Sequence, residues 1–248
     1  MKVMILGKYT IEIPQEQGKP ITNKRFIGSP YAGYLKGRLS DISNESFIIE
    51  HITRLIAKEH KVNTIIEYFG GLGICSKIFQ AILKPHRHII IDWDTNCFET
   101  LRTNLGNLNG VELLNQNAMK YRLNDFVDLA FLDFDKFSVL HLDERADVNR
   151  WFNNIFRWSK YILISDSSIA KFHLNKQTYR DLFDKTINSF EDYLSCFSNY
   201  LFGLYGYHIG YCYHFSRCSF LLIARRYQSL QEMKKFNEKK HVKLIGSR

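Results

Sequence analysis

Five residues in the first half of the chain have the types and spacing of a ligand-binding turn: Glu67, Gly70, Gly71, Gly73 and Asp92. The glycines follow a short β-rich segment and precede an apolar helical segment. Residues without a Cβ let the backbone turn tightly there and approach a ligand. Asp92 follows about 20 residues later, where a carboxylate can accept hydrogen bonds from ribose hydroxyls. The pattern predicts a site for a nucleoside-containing cofactor.

A turn of this kind suits either of two cofactors, a dinucleotide or S-adenosylmethionine. A dinucleotide fingerprint has a third glycine or an alanine three residues after Gly73, and this chain has Ser76. The carboxylate of Glu67 would repel a pyrophosphate, whereas it could face the positive methionyl end of S-adenosylmethionine. These residues favour S-adenosylmethionine as the cofactor.

The elements that must position this turn alternate between β-rich and helical segments, which predicts βαβ units and a mostly parallel sheet with helices on both faces. Thr95 is the predicted N-cap of one of these helices. Predicted strands cover residues 64–69, 88–92, 111–114, 127–132 and 161–165, and predicted helices cover 46–61, 74–83, 95–105, 145–158 and 177–201.

The end of the sheet differs from the rest. Two β-rich runs, residues 205–215 and 219–224, are joined by only a few residues. A connection this short makes an antiparallel hairpin, because a parallel crossover needs a dozen or more residues. We therefore expect seven strands in all, with a C-terminal antiparallel β-hairpin.

In this order of elements and in the turn, the chain resembles the class I (Rossmann-like) S-adenosylmethionine-dependent methyltransferases, whose first motif is E/D-x-x-x-G-x-G. Glu67, Gly71 and Gly73 match that motif. The resemblance covers residues 46–226, which implies an N-terminal extension over 1–45 and a basic C-terminal tail over 227–248. It also implies that Asn117-Ala118, where the family usually has Asp-Ala, lies near the adenine amino group. Asn117 could accept a hydrogen bond there through its amide oxygen.

A second motif follows the predicted fourth strand, where the family places its substrate-facing residues. The segment Leu-Asp-Phe-Asp-Lys-Phe-Ser over 132–138 resembles the Asp-Leu-Asp-Pro-Phe-Gly motif of tRNA guanosine N2,N2-dimethyltransferases, with a lysine for the proline and a serine for the glycine. The resemblance implies that Asp135 holds the target amine, Asp133 supports it and Phe137 stacks on the base. Loop capping and solvation are the alternative roles for the two acids.

Composition indicates the partner and the compartment. The net charge of +9 favours a polyanion such as nucleic acid. Five cysteines without a C-x-x-C pair argue against a disulfide framework and favour a reducing, cytoplasmic setting. No apolar run is long enough to span a membrane, so no membrane partner is expected. The oligomeric state is not indicated.

One cluster resembles a metal site in composition. His208, Cys212 and His214 are separated by even numbers of residues along a predicted strand, so they point to one face of it, and Cys218 follows them. Their spacing matches no familiar zinc module, so no metal is expected.

Methyl transfer to nucleic acid, with a base exocyclic amine as the target, is the leading hypothesis for the function. A small-molecule or protein methyltransferase is an alternative. A non-catalytic methyltransferase-like module that binds nucleic acid or a partner enzyme is another.

Overall fold

The structure is a computed structural model of the chain. It describes residues 2–6, 8–13, 39–133, 145–166, 207–215 and 218–225, with isolated positions between 188 and 199. The chain divides into two compact units, residues 1–121 and residues 122–248.

The described residues of the first unit form an antiparallel strand pair, three parallel strands and three helices. In the parallel group, the strand that is second along the chain lies between the other two. The elements are β1 (Lys2–Leu6), β2 (Tyr9–Ile13), α1 (Leu39–Glu59), β3 (Thr64–Tyr68), α2 (Ile74–Leu83), β4 (Arg87–Asp92), α3 (Thr95–Leu105), β5 (Val111–Asn115) and a 3-10 turn (Ala118–Lys120).

The central strands are buried on both faces, as expected of parallel strands covered by other elements. Ile65 and Ile66 are successive residues of β3 and so point to opposite faces, yet both are fully buried. Ile89, Ile90 and Ile91 of β4 are buried in the same way. Their near-continuous apolar sequence is therefore explained by burial on both sides, and it allowed these strands to be predicted.

The N-cap of α3 is Asp94 and not Thr95, so that prediction was wrong by one residue. The Asp94 carboxylate accepts hydrogen bonds from the backbone N–H groups of Asn96, at 2.9 Å, and Cys97, at 3.0 Å. An aspartate in extended conformation satisfies two of the donors that a helix start leaves without partners.

The first residues pack onto the helices of the first unit. Ile11 of β2 is fully buried. The side-chain amide of Asn104 on α3 forms two hydrogen bonds with the backbone of Glu12. It accepts from the Glu12 N–H at 2.9 Å and donates to the Glu12 carbonyl at 2.6 Å. Lys77 of α2 donates to the carbonyl of Thr10. The predicted boundary between an N-terminal extension and a domain at residue 46 lies inside α1, which begins at Leu39.

In the described residues of the second unit, two parallel strands are followed along the chain by two antiparallel ones, and the last strand pairs with the second parallel strand and with its own predecessor. The helix over residues 145–158 buries Trp151, Phe152, Ile155 and Phe156, which are on the helical face expected from the sequence. The elements are β6 (Val127–Asp133), α4 (Arg145–Trp158), β7 (Ser159–Asp166), β8 (Tyr207–Phe215) and β9 (Cys218–Arg225).

The five predicted parallel strands are thus confirmed, three in the first unit and two in the second. A single seven-stranded sheet closed by a C-terminal hairpin stays a prediction. The tail over 227–248 and most of the predicted helix over 177–201 lie outside the described residues.

Among the helices that the structure describes, none has the length and apolar character needed to cross a membrane.

Candidate cofactor-binding site

The turn between β3 and α2 has three residues in the left-handed region of backbone conformation. Phe69, Gly71 and Gly73 have φ values of 64°, 56° and 80°. The N–H of Gly70 donates to the carbonyl of Ile91 at 3.1 Å, and the N–H of Gly73 donates to the carbonyl of Gly70 at 2.9 Å. The turn is therefore tied to the neighbouring strand β4 close to its carboxyl end.

Asp92, the last residue of β4, binds this turn directly. Its Oδ2 accepts from the backbone N–H of Gly71 at 2.7 Å, and its Oδ1 accepts from the N–H of Asp94 at 2.9 Å. The residue is only 5% exposed. Bonds from N–H groups to an ionised carboxylate are stronger than neutral ones, and here they hold the carboxylate in one orientation. The glycine turn and the predicted ribose-binding acid are therefore in contact.

Two glycines of the turn are required by packing, a role that the sequence analysis missed. A Cβ on Gly70 would lie 2.5 Å from Cγ2 of Ile90 and 3.0 Å from Cδ1 of Leu101. A Cβ on Gly73 would lie 2.9 Å from Cδ2 of Leu101 and 3.1 Å from Cδ1 of Leu105. Both side chains would meet atoms of the core formed with α3, so these glycines allow the turn to pack closely whether or not a ligand is bound.

Gly70→Ala is expected to lower the free energy of unfolding by about 1–3 kcal/mol, the usual cost of overpacking a core. The φ of Gly70 is not positive, so its backbone accommodates alanine and the cost is steric. Urea denaturation measures it. In an Ile90→Ala background, where Cγ2 is absent, the cost should be smaller. Equal costs in the two backgrounds would show that the conflict with Ile90 is not the cause.

Glu67 lies in the interior of the first unit, where it is 1% exposed. Its Oε2 accepts from the hydroxyl of Ser76 on α2 at 2.6 Å and lies 3.4 Å from Nε2 of His88 on β4. Nδ1 of His88 lies 3.0 Å from Nε2 of Gln80. Ser76, which stands where a dinucleotide fingerprint has a small apolar residue, is thus a partner of the motif's acid. A role of Glu67 toward the methionyl group stays a prediction.

Asn117 and Ala118 follow the end of β5. The Asn117 amide oxygen accepts from the N–H of Met119 at 2.9 Å and caps the 3-10 turn. The Asn117 side chain is exposed and Ala118 is buried. The neighbouring Asn115 donates its amide to the carbonyl of Asp92 at 3.0 Å, which ties the ends of β4 and β5 together. A role of Asn117 toward adenine is not tested by these contacts.

Two aromatic residues at this edge of the sheet were not singled out from the sequence. Trp93 directly follows Asp92 and is half-buried. Phe69 is half-buried and adopts a positive φ, which costs a non-glycine residue about 1–2 kcal/mol. An aromatic residue next to a strand-end acid is a signal that could have identified Trp93. Nothing in the sequence around Phe69 indicates its backbone conformation.

The predicted substrate-facing residues are only partly described. Asp133 is the last residue of β6 and pairs in register with Ser165 of β7. Asp135 and Phe137 lie outside the described residues. Their roles stay predictions.

The strand that carries the candidate metal ligands, β8, has an irregularity in its pairing with β9. The pairing with β9 shifts between Ile209 and Tyr211, so His208 pairs with Ala224 whereas Cys212 pairs with Leu221. A bulge interrupts the simple alternation of faces that the parity argument assumed.

Comparison with known proteins identifies the fold. No family model and no curated protein sequence matches the chain. Among solved structures, Trm1 from Pyrococcus horikoshii in complex with S-adenosyl-L-methionine is 10% identical, with a TM-score of 0.61 over 96% of this chain and 64% of that chain. The N-methyltransferase NodS from Bradyrhizobium japonicum WM9 in complex with S-adenosyl-L-homocysteine is 9% identical, with a TM-score of 0.52 over 82% and 95% of the two chains.

A third similar structure is the methyltransferase domain of a bacterial Hen1, CtHen1-C. It is 14% identical, with a TM-score of 0.52 over 74% of this chain and 99% of that chain. At these identities the likeness is one of fold. The chain has the Rossmann-like α/β fold of the class I S-adenosylmethionine-dependent methyltransferases.

Proposed function

We propose that this protein binds S-adenosylmethionine at the turn after β3 and transfers its methyl group to nucleic acid, with a base exocyclic amine as the target. The observation that carries the cofactor proposal is the 2.7 Å hydrogen bond between the Gly71 N–H and Asp92, in a chain of methyltransferase fold. It places the glycine turn and the strand-end acid, each predicted from sequence, at one point.

The residues present fit this cofactor. The N–H groups of Gly71 and Asp94 hold the Asp92 carboxylate beside the glycine turn, and a carboxylate is a group that can accept hydrogen bonds from ribose hydroxyls. Helix α2 begins after Gly73 with no side-chain cap and no acid in its first turn. Its first N–H groups can donate to the carboxylate of the methionyl group. Trp93 offers an aromatic surface beside Asp92 for a base.

The bound cofactor supplies an electrophilic methyl group. In the proposal, the chain orients the acceptor: Asp135 accepts a hydrogen bond from the target amine, Asp133 supports Asp135, and Phe137 stacks on the base. Holding the nitrogen lone pair in line with the methyl group gives much of the rate enhancement of such a transfer. The seven-stranded sheet with a C-terminal antiparallel hairpin, predicted from the sequence, is part of this proposal.

Nucleic acid is the proposed substrate because of the net charge of +9. The resemblance of residues 132–138 to the motif of tRNA guanosine N2,N2-dimethyltransferases supports a base amine as the target. This chain has a lysine and a serine where that motif has proline and glycine. Because the motif is incomplete, a non-catalytic module is the second candidate function.

Titration calorimetry with S-adenosylhomocysteine tests the cofactor proposal, and we expect saturable binding at one site per chain. Transfer of a labelled methyl group from S-adenosylmethionine to tRNA, rRNA, DNA and protein extracts then tests the substrate. Label in tRNA, rRNA or DNA is expected. Absence of S-adenosylhomocysteine binding would contradict the proposed methyltransferase activity and favour the non-catalytic module. Binding with label only in protein would contradict the nucleic acid substrate alone.

A further inference from the structure

A groove of about 390 Å³ lies at the edge of the first unit formed by the amino ends of β3 and β4. The end of α1, the segment leading into β3 and the end of α2 form its walls. Its charged and titratable lining residues are Lys58, Glu59, His60, Lys61, Lys84 and His86. Three lysines and two histidines thus surround one carboxylate.

This groove is separate from the candidate cofactor site. The backbone N–H of Arg87, the first residue of β4, donates to the carbonyl of Asn63, which lines the groove. The cofactor turn begins after Tyr68, at the opposite end of the same strands. Five residues of β-strand span roughly 17 Å, so a ligand in the groove would not touch the turn.

The lysines of the groove have no acidic partner, unlike four cations elsewhere in the described part of the first unit. Elsewhere in this unit, Lys8 and Arg54 pair with Glu50, Arg87 pairs with Glu112, and Arg102 pairs with Glu99. Among the residues that the structure describes, Lys58, Lys61 and Lys84 form no ion pair, and all three are exposed. Exposed cations without a partner are available to an anion from outside the chain.

Lys84 also adopts a costly backbone conformation. It is the C-cap of α2, with φ 48° and ψ 54°, in the left-handed region where glycine or asparagine is usual. Residues held in such conformations cluster at binding and catalytic sites, where the surrounding structure maintains them against the strain. A lysine at this position carries a charge into the groove that glycine would not.

An ordinary structural role for these cations is to balance the helix dipoles. Helices α1 and α2 both end at the groove, and each helix C-terminus carries about half a negative charge. The three lysines and Glu59 sum to two positive charges, about twice what the two helix ends require. Dipole compensation therefore leaves a positive excess.

We propose that this groove binds the sugar–phosphate backbone of the nucleic acid substrate. The inference rests on the proposed function, to which it adds a contact surface distant from the methyl-transfer site. Lys58, Lys61 and Lys84 neutralise phosphates and release counterions, which gives sequence-independent affinity. The groove thus adds affinity and orients the strand, while selection of the base belongs to the residues near the cofactor.

Lys84→Gly distinguishes phosphate binding by Lys84 from its structural role at the C-cap of α2. Glycine relieves the left-handed strain at the C-cap, so the midpoint of thermal unfolding should not fall. Affinity for labelled RNA and DNA oligonucleotides, measured by fluorescence anisotropy between 50 and 200 mM salt, is expected to fall about 3- to 10-fold. The slope of log affinity against log salt should decrease by about one. The affinity for S-adenosylhomocysteine should stay unchanged.

Adding Lys58→Gln and Lys61→Gln should lower the salt slope further, by about two to three in total. Arg102→Gln, which removes an exposed charge from α3 outside the groove, is the matched control and should change the slope little. Wild-type nucleic-acid affinity in the triple variant would overturn the groove proposal and leave the proposed methyltransferase standing. A wild-type protein that binds S-adenosylhomocysteine but neither RNA nor DNA would overturn the groove and the nucleic-acid substrate together.

Discussion

Asp92→Ala is expected to weaken S-adenosylhomocysteine binding by about 1–3 kcal/mol, or about 5- to 160-fold, as measured by calorimetry. The carboxylate accepts from the N–H groups of Gly71 and Asp94 and is nearly buried. Its removal leaves both donors without this acceptor and removes one of the hydrogen bonds that tie the turn to β4. The same change removes the proposed acceptor of the ribose hydroxyls. Stability should fall as well, by about 1–3 kcal/mol, because buried donors lose their partner.

Two control variants distinguish cofactor binding from stability. Asp92→Asn keeps one acceptor oxygen and loses the charge, so it should retain one of the two backbone bonds and bind with intermediate affinity. Asp94→Ala removes the N-cap of α3 and should cost about 1 kcal/mol of stability with little change in affinity. Wild-type affinity in Asp92→Ala would exclude the ribose role.

Asp135→Ala is expected to reduce the turnover of methyl transfer by about 100-fold or more, or about 3 kcal/mol, while the affinity for S-adenosylmethionine stays near wild type. Asp135 follows β6, where the resembled family places its substrate-facing motif. An acceptor there would align an amine for attack on the methyl group, and loss of a positioning group acts on the reaction rate more than on cofactor binding. Single-turnover transfer and calorimetry measure the two effects separately.

Asp135→Asn distinguishes hydrogen bonding from charge, because it keeps an acceptor oxygen and removes the ionisable group. Activity in the asparagine variant alone would show that Asp135 acts as a hydrogen-bond acceptor. Loss of activity in both variants would show that its charge or basicity is needed. If Asp135→Ala is fully active, the assignment is wrong, and Asp133 and Asp166, the last residues of β6 and β7, become the candidates.

The sequence by itself determined the parallel strands and the candidate cofactor motif. Ile65, Ile66 and the isoleucines of β4 belong to apolar runs whose length and flanking turn residues indicate buried parallel strands. Asp92 could be placed at a strand end near the glycines, because parallel strands connected by helices have their carboxyl ends at one edge. These features depend on local periodicity and on a short, regular connection, both visible in a single sequence.

The tertiary structure alone decided which atoms these residues contact. Gly70 and Gly73 are required by side chains of β4 and α3, and Glu67 is bound by Ser76 and approached by His88, partners distant in sequence. Sequence periodicity places a residue on a face of its own element but does not show which side chain of another element meets it. The basic groove likewise forms only because the ends of α1 and α2, which are separated along the chain by β3 and the glycine turn, converge in space.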